Sequence, residues 1–291
     1  MATIKPFRAL RPAAEKANQV SCVPYDVIYE SEARDAISEN PLSFLRVTRP
    51  EADFAADEKP SHEEVLARAK ENLQKLIDDG VLVRESEPSV YIYRLTAGEH
   101  AQTGIVACCA IDEYERGQIK KHEKTRPDKV EDRTDHMIAL RAQTGLIFLA
   151  IRGTERIRAL IEETVKTAPL YDIGCVDGVQ HTIWQMPVPD EMVAAFEEVP
   201  AIYIADGHHR AESANLARKK LREANPEHTG AEDYNFVVAG IFPAEDLRIM
   251  AYNRAVKDLN GLSEEEFLQK VGENFIVTET GEKEPQNPGE I

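Results

Sequence analysis

This sequence predicts an α/β fold of mixed, α+β character, and three observations predict it. Short apolar runs of strand length recur at 145–151, 201–205 and 234–242. Amphipathic helical stretches lie between them, the clearest at 61–79. Turn signals at 97–100 and at Asp177-Gly178 mark hairpins, which break the strict strand–helix alternation of a doubly wound sheet.

The first 29 residues are punctuated by proline and predict a short strand and a shaped loop. Pro24 forces Val23 into an extended conformation, and Tyr25 and Asp26 form a polar tip. A helix is expected from Ser31 to about Asn40, with Ala33, Ala36 and Ile37 on one face, and 44–48 is expected as a strand. Ser61 and Glu64 form a capping box for a helix reaching Asp79, with Leu66, Ala69, Leu73 and Leu76 in its apolar stripe, and Gly80 ends it. Strands at 89–95 and 103–111 form a hairpin. A polar stretch at 118–126 leads to a helix at 129–144, a buried strand at 145–151 and a helix at 154–167. A second hairpin is expected from 171–176 and 181–186, then a short helix at 190–198 and a buried strand at 201–205. A helix from Ala211 to Ala224, a strand at 234–242, a helix at 263–271 and a strand at 274–278 complete the expected elements. The expected organisation is an N-terminal α/β part over 1–115 and a second part over 116–280, with a fraying Pro/Gly/Glu-rich tail at 281–291.

Lys and Arg number 35 against 52 Asp and Glu, a net charge of −17. A surface of that sign repels nucleic-acid backbones, and no basic, aromatic-studded stripe offsets it, so nucleic acid is not an expected partner. Apolar runs fall short of the roughly 20 residues of a membrane span. The first residues lack the apolar core of a signal peptide, so a cytoplasmic protein without a membrane partner is expected. Cys22, Cys108, Cys109 and Cys175 include no Cys-x-x-Cys pair, which argues against a disulfide framework or structural zinc.

The sharpest functional signal is Asp206-Gly207-His208-His209-Arg210, between a strand and a helix. A strand that stops at glycine and passes into a helix exposes the first helical N–H groups, and a neighbouring arginine makes an anion site of them. The histidines would donate hydrogen bonds to phosphate oxygens or carry a proton. The bland alternative is a helix capped by Asp206 with surface histidines beside it.

A second run, Lys120 to Arg126, sets His122, Glu123 and Lys124 beside further cations just past a strand. Glu123 would act as general base on a hydroxyl, and His122, Lys124 or Arg126 would offset phosphate charge. Its bland alternative is a solvated charged loop. Pro24-Tyr25-Asp26 either lines the pocket or places Tyr25 over the edge of the core, the second being favoured. A protein-only metal cage is not expected, because neighbouring residues at a helix start point apart. Magnesium carried by nucleotide phosphates is the expected ion.

These segments, Pro24-Tyr25-Asp26-Val27-Ile28, Lys121-His122-Glu123-Lys124-Thr125, Asp132-Arg133 and Asp206 to Arg210, resemble domain-of-unknown-function family 1015, a bacterial and archaeal group. Its members usually run on beyond this length, so the chain resembles a C-terminally shortened version. The Asp-Gly-His-His-Arg segment is also similar to the phosphate-binding turn of the ParB/sulfiredoxin superfamily, which includes partition CTPases and kinases acting on free serine. That resemblance implies a ParB/sulfiredoxin-like nucleotide-binding core in which Gly207, His208, His209 and Arg210 hold the phosphates of ATP, ADP or another nucleotide with Mg2+. No cysteine occupies the turn, which removes sulfiredoxin chemistry. The function expected is a nucleotide-dependent kinase for a small hydroxyl metabolite, serine first. The alternatives are a nucleotide-binding regulator and a metal-dependent phosphohydrolase built on His122, Glu123, His208 and His209.

Overall fold

The computed structural model describes residues 2–175, 178–249 and 256–279. In chain order its first half contains Ile4–Lys5 (β1), Leu10–Pro12 (β2), Ala17–Val20 (α1), Glu30–Glu39 (α2), Leu45–Thr48 (α3) and His62–Asp78 (α4). Leu82–Arg84 (β3), Tyr91–Ala97 (β4), His100–Ala110 (β5), Ile111–Glu115 (α5), Ile119–Lys120 (β6) and Pro127–Leu140 (α6) follow. The second half contains Ile147–Ile151 (β7), Glu155–Thr164 (α7), Tyr171–Gly174 (β8), Gln180–Gln185 (β9), Pro189–Phe196 (α8), Ile202–Asp206 (β10), His208–Glu223 (α9) and Phe236–Pro243 (β11). These belong to one compact unit ending at Asp246, and Leu247 begins a second, whose helix is Glu264–Gly272 (α10).

A nine-stranded sheet runs β6-β10-β7-β11-β5-β4-β9-β8, with β1 added against β5. β6–β10 and β7–β11 are parallel pairs and the remaining pairs are antiparallel, so the sheet is mixed, as expected. It takes β1, β4 and β5 from before residue 115 and its other strands from after it, so the expected division at 115/116 runs through a single sheet. Alternation sorts the strand residues: Ile92, Ile105, Ala107, Leu149, Ile204, Ala239 and Ile241 enter one buried core with Ile157 of α7 and Met192 and Phe196 of α8. A second core joins Val20 and Val47 to Ala69, Leu73 and Leu76 of α4 and Leu140 of α6.

The capping box is formed: the Ser61 hydroxyl accepts from Glu64 N–H, and Glu64 returns to the Ser61 amide at 2.7 Å. The β4–β5 hairpin closes at Ala97 and His100 through Gly98, whose φ of 59° suits the tight turn. Helix α9 packs against α6 through small residues. Ser213 Oγ donates to the Val130 carbonyl at 2.9 Å, and Thr134 Oγ1 donates to the carbonyls of Val130 and Ser213. Arg218, nearly buried, ties the far half of α9 to Glu115 at 3.0 Å, to Asp112 and to Asn235.

Several expected elements differ. The 44–48 run is the helix α3, because Ser43 Oγ accepts the Leu45 amide and starts a turn that a four-residue helix completes before Pro50. Helix α6 begins at Pro127, where proline suits the first helical position, and ends at Arg141 in the left-handed region. Helix α9 begins at His208, so both turn histidines are helical. β10 is only half buried, with Tyr203 48% exposed. Residues 274–278 form no strand among the described residues, and Ile276 is fully in solvent. The turn residues Val176 and Asp177, and the tail at 281–291, lie outside the described residues. Among the described residues no helix is long and apolar enough to cross a membrane.

Candidate functional site

The parallel pairing of β6 with β10 builds the site. Ile119 stands opposite Ile202 and Lys120 opposite Tyr203, so both strands run out at the same sheet end. Chain segments far apart in sequence, 121–126 and 206–210, therefore leave the sheet side by side. Buried Ile202 and Ile204 pin β10, each contributing about 1.5–3 kcal/mol of apolar burial. A register shift between Ile204 and Asp206 then releases the strand into the turn. Outside the C-terminal ends of parallel strands is where sites of this fold class lie.

Gly207 is the N-cap of α9, with φ 91° and ψ 31°. That left-handed conformation is one an L side chain rarely adopts. No side chain caps the helix: Asp206 instead pairs with Arg210 at 2.7 Å. This removes the alternative in which Asp206 caps the helix. The amide N–H groups of His208, His209 and Arg210 donate to no partner among the described residues, and the helix dipole adds positive potential there. Arg210 folds back over Gly207 and Gly145, donating Nη1 to the Leu146 carbonyl and Nη2 to Asp206.

Both histidine rings contact the backbone of the 121–126 loop. His208 is 3% exposed, and its Nε2 accepts the His122 amide at 3.3 Å. His209 Nε2 accepts the Arg126 amide at 3.1 Å. Each imidazole therefore spends a lone pair on the backbone of the 121–126 loop and stitches that loop to the helix start. With Nε2 accepting, the neutral His208 ring carries its proton on Nδ1, 3.6 Å from Glu123 Oε2. That separation is an electrostatic contact longer than a hydrogen bond. Burial and then nearby His122 lower the His208 pKa, against the pull of Glu123 and Asp206. The His122 ring meets His208 edge-on, centroids 4.4 Å apart.

Glu123 is thus placed beside the open N-terminus of α9, with its side chain well exposed. Lys124 is exposed and makes no hydrogen bond or ion pair among the described residues. Arg126 pairs with Asp128 at 2.8 Å, both in solvent. Lys121 is structural: its ammonium lies 3.5 Å above the Tyr114 ring and 3.8 Å from Glu212.

Three further residues form a cluster of their own. Arg133 of α6 lies over the Tyr25 ring, 4.6 Å from its centroid, and Arg49 donates to the Tyr25 carbonyl at 3.3 Å. The signal for Tyr25 and Arg133 was their presence in the segments 24–28 and 132–133; Arg49 carried none. Among the described residues no group of three or more His, Cys, Asp or Glu side chains is placed to hold a metal ion. His208 and His209, two ligands the phosphohydrolase alternative needs, have already committed Nε2 to backbone amides.

Comparison with protein-family models matches residues 4–291 to a family described as "Protein of unknown function (DUF1015)". The chain belongs to the DUF1015 family. No curated protein and no solved structure matches it. In this DUF1015 member the four segments that resemble the family fall into two pairs. Segments 121–125 and 206–210 are joined by the two histidine rings, while 24–28 and 132–133 meet through Tyr25 and Arg133.

Proposed function

We propose that this protein is a nucleotide-dependent kinase that phosphorylates the hydroxyl of a small metabolite. The observation that carries the reading is Glu123, an exposed carboxylate held at the unpartnered N-terminus of α9. The turn amides and Arg210 would hold the phosphates of ATP or ADP, with Lys124 and Arg126 at the exposed rim. Gly207 fits that task, since it lets the backbone approach a phosphate without a side chain. Magnesium bound with the nucleotide would neutralise part of the phosphate charge. Glu123 would take the proton of the acceptor hydroxyl as its oxygen attacks phosphorus, while the bond to the leaving nucleotide breaks. His208 would act as a positioning residue, its Nδ1–H facing the carboxylate.

The resemblance of the turn to the ParB/sulfiredoxin superfamily supports nucleotide as the phosphate source and makes free serine the first acceptor to try. A cytoplasmic setting, where ATP and ADP are abundant, belongs to the same proposal. The test incubates the protein with Mg2+, ATP or ADP and a panel of amino acids and small alcohols, and looks for phosphorylated product by phosphorus NMR. A product that disappears in Glu123→Gln while nucleotide binding survives is the expected result. Nucleotide binding without any product sinks the kinase reading and leaves a nucleotide-binding regulator; absence of binding sinks both.

A further inference from the structure

We propose that a small aromatic cavity beside the turn is the subsite for the base of the nucleotide, on the side of the turn away from Glu123. The inference rests on the reading of Gly207–Arg210 as a phosphate site, and it gives that site a direction. The cavity, of about 170 Å3, is walled by Tyr93 and Leu95 of β4, Gln102 of β5, Leu146, Phe148 of β7 and Phe242 of β11. Leu149 and Ile241 enter the main core, so their neighbours Phe148 and Phe242 stand on the other face of the sheet. Phe242 packs directly onto Gly104, where a Cβ would come within 2.6 Å of its ring, and one at Gly240 would come within 3.2 Å. Two glycines on neighbouring strands thus let the ring settle against the sheet, and Phe148 meets it edge-on with centroids 5.0 Å apart. The space is smaller than the roughly 300–1,000 Å3 that encloses a whole drug-sized ligand, so it suits one flat ring system and leaves the rest of the molecule outside. Gln102 adds an amide to the wall, able to donate to and accept from the edge of a base.

The place of the cavity decides what that ring belongs to. Phe148 pairs with Asp206 across the β7–β10 ladder, so one wall stands a single strand spacing, about 4.8 Å, from the turn. Leu146 belongs to both: it walls the cavity, and its carbonyl accepts from Arg210 Nη1. Sheet order supplies the direction. β6, which leads into Glu123, lies on one side of β10, while β7 and β11, which carry the cavity, lie on the other. Phosphoryl transfer sets the attacking and leaving oxygens roughly in line across phosphorus. An acceptor hydroxyl at Glu123 therefore requires the leaving nucleotide on the β7 side, where the cavity lies. A cavity meant for an apolar part of the acceptor would belong on the β6 side instead.

Isothermal titration of Mg·ADP and of Mg·methyl diphosphate, which carries the phosphates without sugar or base, into wild type and Phe148→Ala tests this. Wild type is expected to bind Mg·ADP at least about tenfold more tightly than methyl diphosphate, and Phe148→Ala to lose about tenfold for Mg·ADP alone. Unchanged affinity for methyl diphosphate shows that the turn is intact in the variant. Equal affinity of wild type for the two probes overturns the base subsite and leaves the phosphate turn standing. So does a Phe148→Ala protein that binds both probes as wild type does, or one that weakens both alike. Wild type binding neither probe overturns the turn reading and this inference with it. Should Phe148→Ala fail to fold, Leu95→Trp serves instead by filling the cavity from β4: unaltered Mg·ADP affinity would overturn the proposal.

Discussion

His136, buried between α6 and α3, makes the protein's acid sensitivity predictable. It is buried on α6, and its Nε2–H donates to the Val47 carbonyl at 2.8 Å, which joins α6 to α3. Burial, and then the Arg133 charge, lower its pKa from 6.5 to about 4; the Val47 bond and Asp132 pull the other way without prevailing. The sign follows from linkage. The folded protein holds His136 neutral while the unfolded chain protonates near 6.5, so stability is full above that pH and falls as pH drops from 6.5 towards 4. The shift corresponds to about 3 kcal/mol lost across the window, a large part of the ~5–15 kcal/mol that holds a typical domain together. Carboxylates titrate in the same range, so the comparison must be with His136→Gln, whose amide can still donate to Val47 but does not titrate. Urea unfolding followed by circular dichroism at pH 7, 6, 5 and 4.5 gives both slopes. Wild type should lose stability more steeply than the variant, the difference approaching about 3 kcal/mol at the acid end. Parallel slopes would refute the argument, since His136 would then titrate alike in folded and unfolded chains.

Gly207→Ala forces a side chain into φ 91° and sets a methyl 3.3 Å from Arg210 Nε. It should cost about 1–2 kcal/mol in urea unfolding and weaken Mg·ADP binding, and an unchanged stability would show the turn to be relaxed for any residue. His209→Ala removes the acceptor for the Arg126 amide; at about 1 kcal/mol for that bond, the Arg126 N–H should exchange with solvent roughly fivefold faster, and equal rates would show the stitch to be absent in solution. With a chain charge of −17, and with Arg49, Arg126, Arg133 and Arg210 each already facing a carboxylate, anion binding should rely on local amides rather than on long-range attraction. Mg·ADP affinity should therefore change less than about threefold between low and physiological salt, and a fall of tenfold or more would reveal a net basic surface instead.

What could be read in the chain beforehand was what local geometry dictates. Ser61 and Glu64 start α4 whatever surrounds them, because both partners of the capping box lie within one turn. The β4–β5 hairpin was legible for a similar reason, its turn lying between the two strands it pairs. Helix α3 was not, since four residues with Val47 and Thr48 among them carry no helical period, and the Ser43 hydroxyl that starts the turn reads equally well as a loop residue. The site divides in the same way. Gly207 between an apolar run and a helical one marked an uncapped helix start by composition alone. Its junction with 121–126 depends on a two-residue strand, β6, too short to leave a pattern, and the place of Tyr25 depends on Arg133 more than a hundred residues later.

The adjacent histidines are best understood from what their ring nitrogens are doing. Two phosphate ligands in succession on one helical turn would splay about 100° apart, so His208 and His209 cannot both aim at one small anion. They are instead suited to gripping a strip of backbone, and each takes an amide of the loop, at His122 and at Arg126, four residues apart. The loop is thereby held at both ends of its charged stretch, with Glu123 and Lys124 between the two stitches. A carboxylate on a loop of this polarity would otherwise sample many positions, at a cost of roughly 1–2 kcal/mol for each backbone residue ordered at the moment of use. Stitching orders it in advance, and it does so with neutral rings beside the positive end of α9. The two halves of the candidate site are thus mechanically one object, and a change in either histidine should be felt first through the position of Glu123.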